Sequence, residues 1–127
     1  MRLRQLDAQF ISGWHPGGYT RQATVEGAQG ILFQCPLCAQ GKEYGEEDDP
    51  VIGHRGFYRG AHYVLCWFTN PRNAPRVPDD ADPKPGRWTF EGDTVDTITF
   101  VGPAAASVLL TPPGCGWHGF VKNGDAS

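Results

Sequence analysis

Two short pairs of metal-type ligands, Cys35-Pro36-Leu37-Cys38 and Cys115-Gly116-Trp117-His118, stand toward opposite ends of this chain, with the 76 residues 39–114 between them. Each pair sets two soft ligands two residues apart, the spacing at which one tight turn aims both side chains at a single ion. Together they make a Cys₃His set, which suits tetrahedral Zn²⁺ best among the common metals. One ion held by Cys35, Cys38, Cys115 and His118 would clamp the two ends of one domain across its core. Four protein ligands close the coordination sphere, so the expected zinc is structural and its removal should cost much of the fold.

At 127 residues the chain is long enough to bury a core of its own and reads as a single domain, 1–127. Its 17 glycines and 11 prolines are well above average usage and break it into short elements. No window of helical length carries a sustained i, i+3, i+4 apolar pattern. Strand-like runs recur instead. Residues 3–11 alternate loosely, with Leu6, Ala8 and Phe10 on one face. Residues 30–34 lead into the first cysteine pair, and residues 62–69 are apolar on both faces, which predicts a central strand. Residues 86–90 and 94–101 are joined across the Glu91-Gly92-Asp93 turn, with Ile98 and Phe100 alternating against Thr97, Thr99 and Val101. Val108-Leu109-Leu110 precedes the second pair, and His118 to Lys122 leads to an Asn123-Gly124 turn. The fold class expected is all-β, with a zinc-ribbon-like site joining N- and C-terminal parts.

Two segments read as excursions from the sheet. Residues 39–61 carry the acidic run Glu46-Glu47-Asp48-Asp49 and several glycines. Residues 70–86 hold Pro71, Pro75, Pro78, Pro83 and Pro85, a density that forbids a central strand and favours exposed loop. The net charge of −3 gives no global field toward nucleic acid or anionic lipid. No run approaches a membrane span, and the N-terminus lacks the apolar core of a secretory signal. A reducing cytosol is therefore expected, where paired cysteines serve as metal ligands more often than as disulfides.

Other residues have plainer readings. Cys66, inside the apolar run Tyr63–Phe68, is expected to be a small buried hydrophobe, with substitution for His118 at the metal as the sharper alternative. His62 shares a face with Cys66 by period 2, and a second site using His62 with His54 or His15 has no spacing to support it. Glu91, Asp93 and Asp96 are expected to serve turn chemistry. Trp67 and Trp88 read as core, Trp117 as a shield over the metal, and Trp14 as a loop aromatic that either anchors a partner or folds back on the core. Arg55 and Arg59, interleaved with Phe57 and Tyr58, would suit single-stranded nucleic acid. No nucleophile–base set can be placed.

The ordered set resembles a family of small, uncharacterised proteins of tailed bacteriophages and prophages. The likeness runs through Arg2-Leu3-Arg4-Gln5-Leu6-Asp7-Ala8-Gln9-Phe10, the strand into Cys35-Pro36-Leu37-Cys38, the His-led strand His62–Phe68, and Arg87-Trp88-Thr89-Phe90-Glu91-Gly92. It closes on Cys115-Gly116-Trp117-His118-Gly119-Phe120, its most specific part. The chain departs from the family's Pro-Ser-Ile segment at Ala105-Ala106-Ser107-Val108. The resemblance implies a zinc-bearing β-domain in a viral setting, in the host cytoplasm or the virion, and supplies no activity. The leading expectation is a non-enzymatic protein that binds a protein partner, as an assembly component or a host-directed factor. A nucleic-acid-binding zinc-ribbon module and a zinc-dependent hydrolase with an open metal position stand as alternatives.

Overall fold

The computed structural model describes residues 1–15, 18–40, 63–83, 86–102, 107–109 and 117–127. Within them the chain forms ten short strands, one 3₁₀ turn and one helix, all-β in character. A four-stranded antiparallel sheet comprises β1 (Gln9–His15), β2 (Gly18–Gln22), β3 (Gly30–Gln34) and β4 (Tyr63–Trp67), in the order β2-β1-β3-β4. Its register places Phe10 opposite Ile31, and Phe33 opposite Val64. Period 2 then sends Phe10, Ile31, Phe33, Val64 and Cys66 to one face, where they join the main core. The other face carries Ile11, Leu32, Leu65 and Trp67, and packs on Val77 and Ala81.

That second packing revises two expectations. The proline-rich segment does not simply lie exposed: Val77 and Ala81 are buried, and the carbonyl of Asp82 accepts a bond from the Trp67 indole at 2.9 Å. Among the described residues the strand at 63–67 is not central either: it ends the four-stranded ladder beside β3, with only a bridge from Phe68 to Trp88 beyond it. It is apolar on both faces because the core covers one and the returning loop covers the other. Two-sided hydrophobicity here reports coverage, not rank in the sheet.

The remaining strands pair two by two. A hairpin of β5 (Thr89–Glu91) and β6 (Thr99–Val101) sets Phe90 opposite Phe100, both buried. Phe90 packs on Phe68 with ring centroids 4.1 Å apart, and Trp88 stacks on Phe100 at 5.8 Å. The alternation expected for Ile98 and Phe100 holds, but the strand is shorter than 94–101. Residues 95–97 form a turn in which the Thr97 hydroxyl accepts from the amides of Asp93 and Thr94, each at 3.1 Å. Next come β7 (Val108–Leu109) with β8 (His118–Gly119), and β9 (Val121–Lys122) with β10 (Asp125–Ala126).

The Asn123-Gly124 turn between β9 and β10 is as the sequence predicts. Both residues have positive φ, 49° and 72°, as a type I′ hairpin turn demands. Gly124 is also a close-approach position, since a Cβ there would lie 2.5 Å from the backbone of Asp96. The expected N-terminal strand at 3–11 is corrected. Leu3–Gln5 is a 3₁₀ turn, and β1 begins only at Gln9. The turn sends Leu3 and Leu6, three apart, into the core together, and the Leu3 amide donates to the Gly124 carbonyl at 2.8 Å. Trp14 belongs to β1, not to a loop.

Candidate metal centre

Cys35 directly follows β3 and is fully buried in the main core. Its carbonyl accepts from the Ala39 amide at 3.0 Å, the first bond of helix α1 (Pro36–Gln40). Proline suits that first helical position, where its missing N–H costs nothing. The first pair is therefore carried on a helical turn, where the sequence reading expected a tight turn of knuckle type. The side chain of Cys38, and all of Cys115, lie outside the described residues. So do His54, His62, Arg55, Arg59 and the acidic run 46–49.

The second pair is approached from its described end. Trp117 is buried and its ring meets Phe33 edge-on, with centroids 6.2 Å apart and planes at 88°. That contact joins the residue two before Cys35 to the residue just before His118. Along this strand the side chains alternate: Trp117 turns into the core, while His118 is exposed, opposite Leu109, with its ring 6.1 Å from that of Phe120. No group of three or more His, Cys, Asp or Glu that could hold a metal occurs among the described residues. Cys35 lies in an apolar cluster, where a thiolate would need a cation such as zinc beside it and a protonated thiol would not.

Cys66 sits opposite Ile31 in the same core and is fully buried. Burial pushes its thiol up, well above the ordinary value of 9.0. The unfolded chain would release this proton first, so the native state binds more protons above that value. The Cys66 contribution is thus complete below the ordinary thiol range and is lost as pH rises from there through the raised native value. A Cys66→Ala variant is expected to flatten the alkaline fall in stability and to keep its metal. Urea melts from neutral pH upward, with metal content measured alongside, check both points.

Of the carboxylates near the hairpin, read from sequence as turn residues, two form ion pairs with arginines distant in the chain. Asp93 pairs with Arg72, whose guanidinium also lies 5.2 Å from the Phe90 ring centroid. Asp96 lies 3.8 Å from both Arg2 and Arg4. Glu91 is exposed at the end of β5. A cleft of about 390 Å³ separates this turn from the β1–β2 hairpin, lined by Phe10, Arg21, Gln22, Asp93 and Thr94 among others. Its residues include no nucleophile–base pair.

Sequence reasoning missed a polar group beside the Gln34–Tyr63 end of the sheet. Tyr63 donates its hydroxyl to Asp7 at 2.6 Å, and the Gln9 amide donates to the other carboxylate oxygen at 3.1 Å. Burial, then the Asp7 carboxylate, raise the Tyr63 phenol to about 12. The residues are 56 apart, and the bond from the Gln34 amide to Leu6 and the β3–β4 register together make them neighbours. Set against family models, curated proteins and solved structures, the chain matches none of them.

Proposed function

We propose that this chain is a zinc-clamped β-domain of phage or prophage origin that acts by binding a protein partner. The observation that favours the reading is the Phe33–Trp117 contact, which brings the strand leading to Cys35 beside the residue before His118; the His118 side chain itself is exposed and would have to turn inward to join Cys35. Cys35, Cys38, Cys115 and His118 would hold the ion, and zinc would supply a cross-link between parts of the chain far apart in sequence. A site of this kind leaves the surface free to serve as the working part. Leu109, His118 and Phe120 give the β7–β8 end exposed apolar area, with Leu109 55% and Phe120 43% accessible. The setting is the host cytoplasm or the virion.

Crosslinking of the tagged protein in its native host, followed by mass spectrometry, tests this reading. One protein enriched over a Cys35→Ser control supports it, and recovery of nucleic acid alone counts against it. Proteomics of purified virions then separates an assembly component from a host-directed factor.

The nucleic-acid alternative leads to an opposite expectation. Non-specific affinity comes largely from Lys and Arg releasing phosphate counterions, and here 11 basic residues face 14 acidic ones. Anisotropy titrations with single- and double-stranded probes are expected to show no sub-micromolar binding at physiological salt. Tight binding with a steep salt slope would reverse the order of the two readings.

A further inference from the structure

We propose that Asp7, Gln34 and Tyr63 form a recognition site for the cationic head of a lysine or arginine side chain presented by a protein partner. Three observations converge on it. Gln34 and Tyr63 are directly opposite in the β3–β4 ladder, and the Gln34 backbone amide donates to the carbonyl of Leu6, next to Asp7, at 2.8 Å. Gln34 and Tyr63 therefore share one end of one sheet face, and Asp7, bonded to Tyr63, stands beside them. Asp7 itself adopts φ of 52°, a left-handed conformation that aspartate tolerates better than most residues.

The chemistry at that end is one-sided. Gln34 is 97% buried, and its Oε1 has no donor. The Asp7 carboxylate accepts from Tyr63 and Gln9 but forms no ion pair among the described residues. The Tyr63 oxygen has spent its proton on Asp7 and keeps lone pairs to offer. A carboxylate, an amide carbonyl and a phenol oxygen together lack a hydrogen-bond donor carrying positive charge. An orphaned buried acceptor costs stability unless something donates to it, so an occupant gains a bond that the free protein lacks.

The approach to this end fits the rest of such a side chain. Leu32 and Leu65 form the next cross-strand pair on the same face, half-buried, between the acceptors and the Trp67 cluster. Lysine and arginine bury an aliphatic stem along apolar surface and deliver the charge at its tip. Arg21, opposite Ile11 on this face, acts on Tyr63 with a charge of the same sign as the ligand. It sets a repulsion that the occupant must overcome.

This inference gives the partner's chemistry for the protein-binding reading and rests on it. The test titrates the folded protein with Nα-acetyl-arginine methylamide and Nα-acetyl-lysine methylamide, using the norleucine analogue as the neutral control. NMR follows the Gln9 and Gln34 side-chain amides and the methyls of Leu32 and Leu65. Saturable shifts with a cationic probe, absent with norleucine, are expected. Asp7→Asn and Gln34→Leu should each weaken that binding about tenfold, the scale of one charge-assisted bond. Arg21→Gln should strengthen it.

Gln34→Leu is also expected to melt no lower than the parent, because it removes the orphaned oxygen, so lost binding cannot be put down to misfolding. Binding unchanged in Gln34→Leu and Asp7→Asn, equal response to norleucine, or no saturable shift from either cation overturns the site. If the crosslinked partner is still captured by both variants, this site is wrong and the protein-binding reading stands. Loss of every partner, with probe binding intact, has the reverse meaning.

Discussion

If the proposed zinc clamp holds the two ends of the chain, stripping the metal is expected to abolish cooperative melting near physiological temperature. Structural zinc contributes on the order of 10–16 kcal/mol to finger peptides, whereas a whole domain is stable by only about 5–15 kcal/mol. Even a fraction of the zinc term is therefore as large as the net stability. Cys35 is fully buried among Phe33, Val64 and Trp117 in the main core, so a thiolate there would depend on the cation. Native mass spectrometry should show one zinc per chain, lost in Cys35→Ser and retained in Cys66→Ala. Circular dichroism melts with and without chelator measure the rest. A metal-free protein that melts as the untreated one does would remove the zinc clamp, and with it the reason to group the two ligand pairs.

How far the sequence leads depends on whether a residue's partner is near it in the chain. The Asn123-Gly124 hairpin is local chemistry, a dipeptide that populates positive φ, and the structure places it as read. Burial of Trp67, Ile98 and Phe100 follows from apolar alternation and is likewise found. The failures share a cause. Residues 3–11 alternate weakly enough to pass for a strand, but Leu3 and Leu6 are spaced for a helical turn, and tertiary burial chooses it. The two-faced apolarity of 63–67 gave the right burial and the wrong rank, because its second cover, Val77 and Ala81, arrives from a segment that reads as exposed. Of the candidate site, the residue types were legible and the placement of the first pair on a helix was not. The Asp7–Tyr63 pair has no sequence signal, since the bond from the Gln34 amide to Leu6 and the β3–β4 register together make them neighbours.

The second large effect is expected where Trp67 crosses Gly30. The two are directly opposite in the β3–β4 ladder, and Ile11 lies on the far side of Gly30 in the same row. With no side chain at 30, the indole fills that gap, reaches Ile11, Val77 and Ala81, and bonds the Asp82 carbonyl. Trp67→Ala removes the centre of this second core, and about 3–5 kcal/mol is the usual cost of such a truncation. Gly30→Ala fails for the complementary reason. A Cβ at 30 would lie 2.7 Å from the Cys66 carbonyl oxygen and 2.8 Å from Trp67 Cε3, closer than real contacts allow. Overpacking of this kind costs roughly 1–3 kcal/mol. The two substitutions touch the same space, so they should not add. Removing the indole relieves one of the two clashes and leaves the one with the Cys66 backbone. The double variant is expected to be more stable than the sum of the singles by about 0.5 kcal/mol or more, the scale of coupling between touching residues. Urea melts of the four proteins measure it. Strict additivity would mean that the strand shifts to accept a Cβ without involving the ring, and that Gly30 is there for β3 itself and not for Trp67.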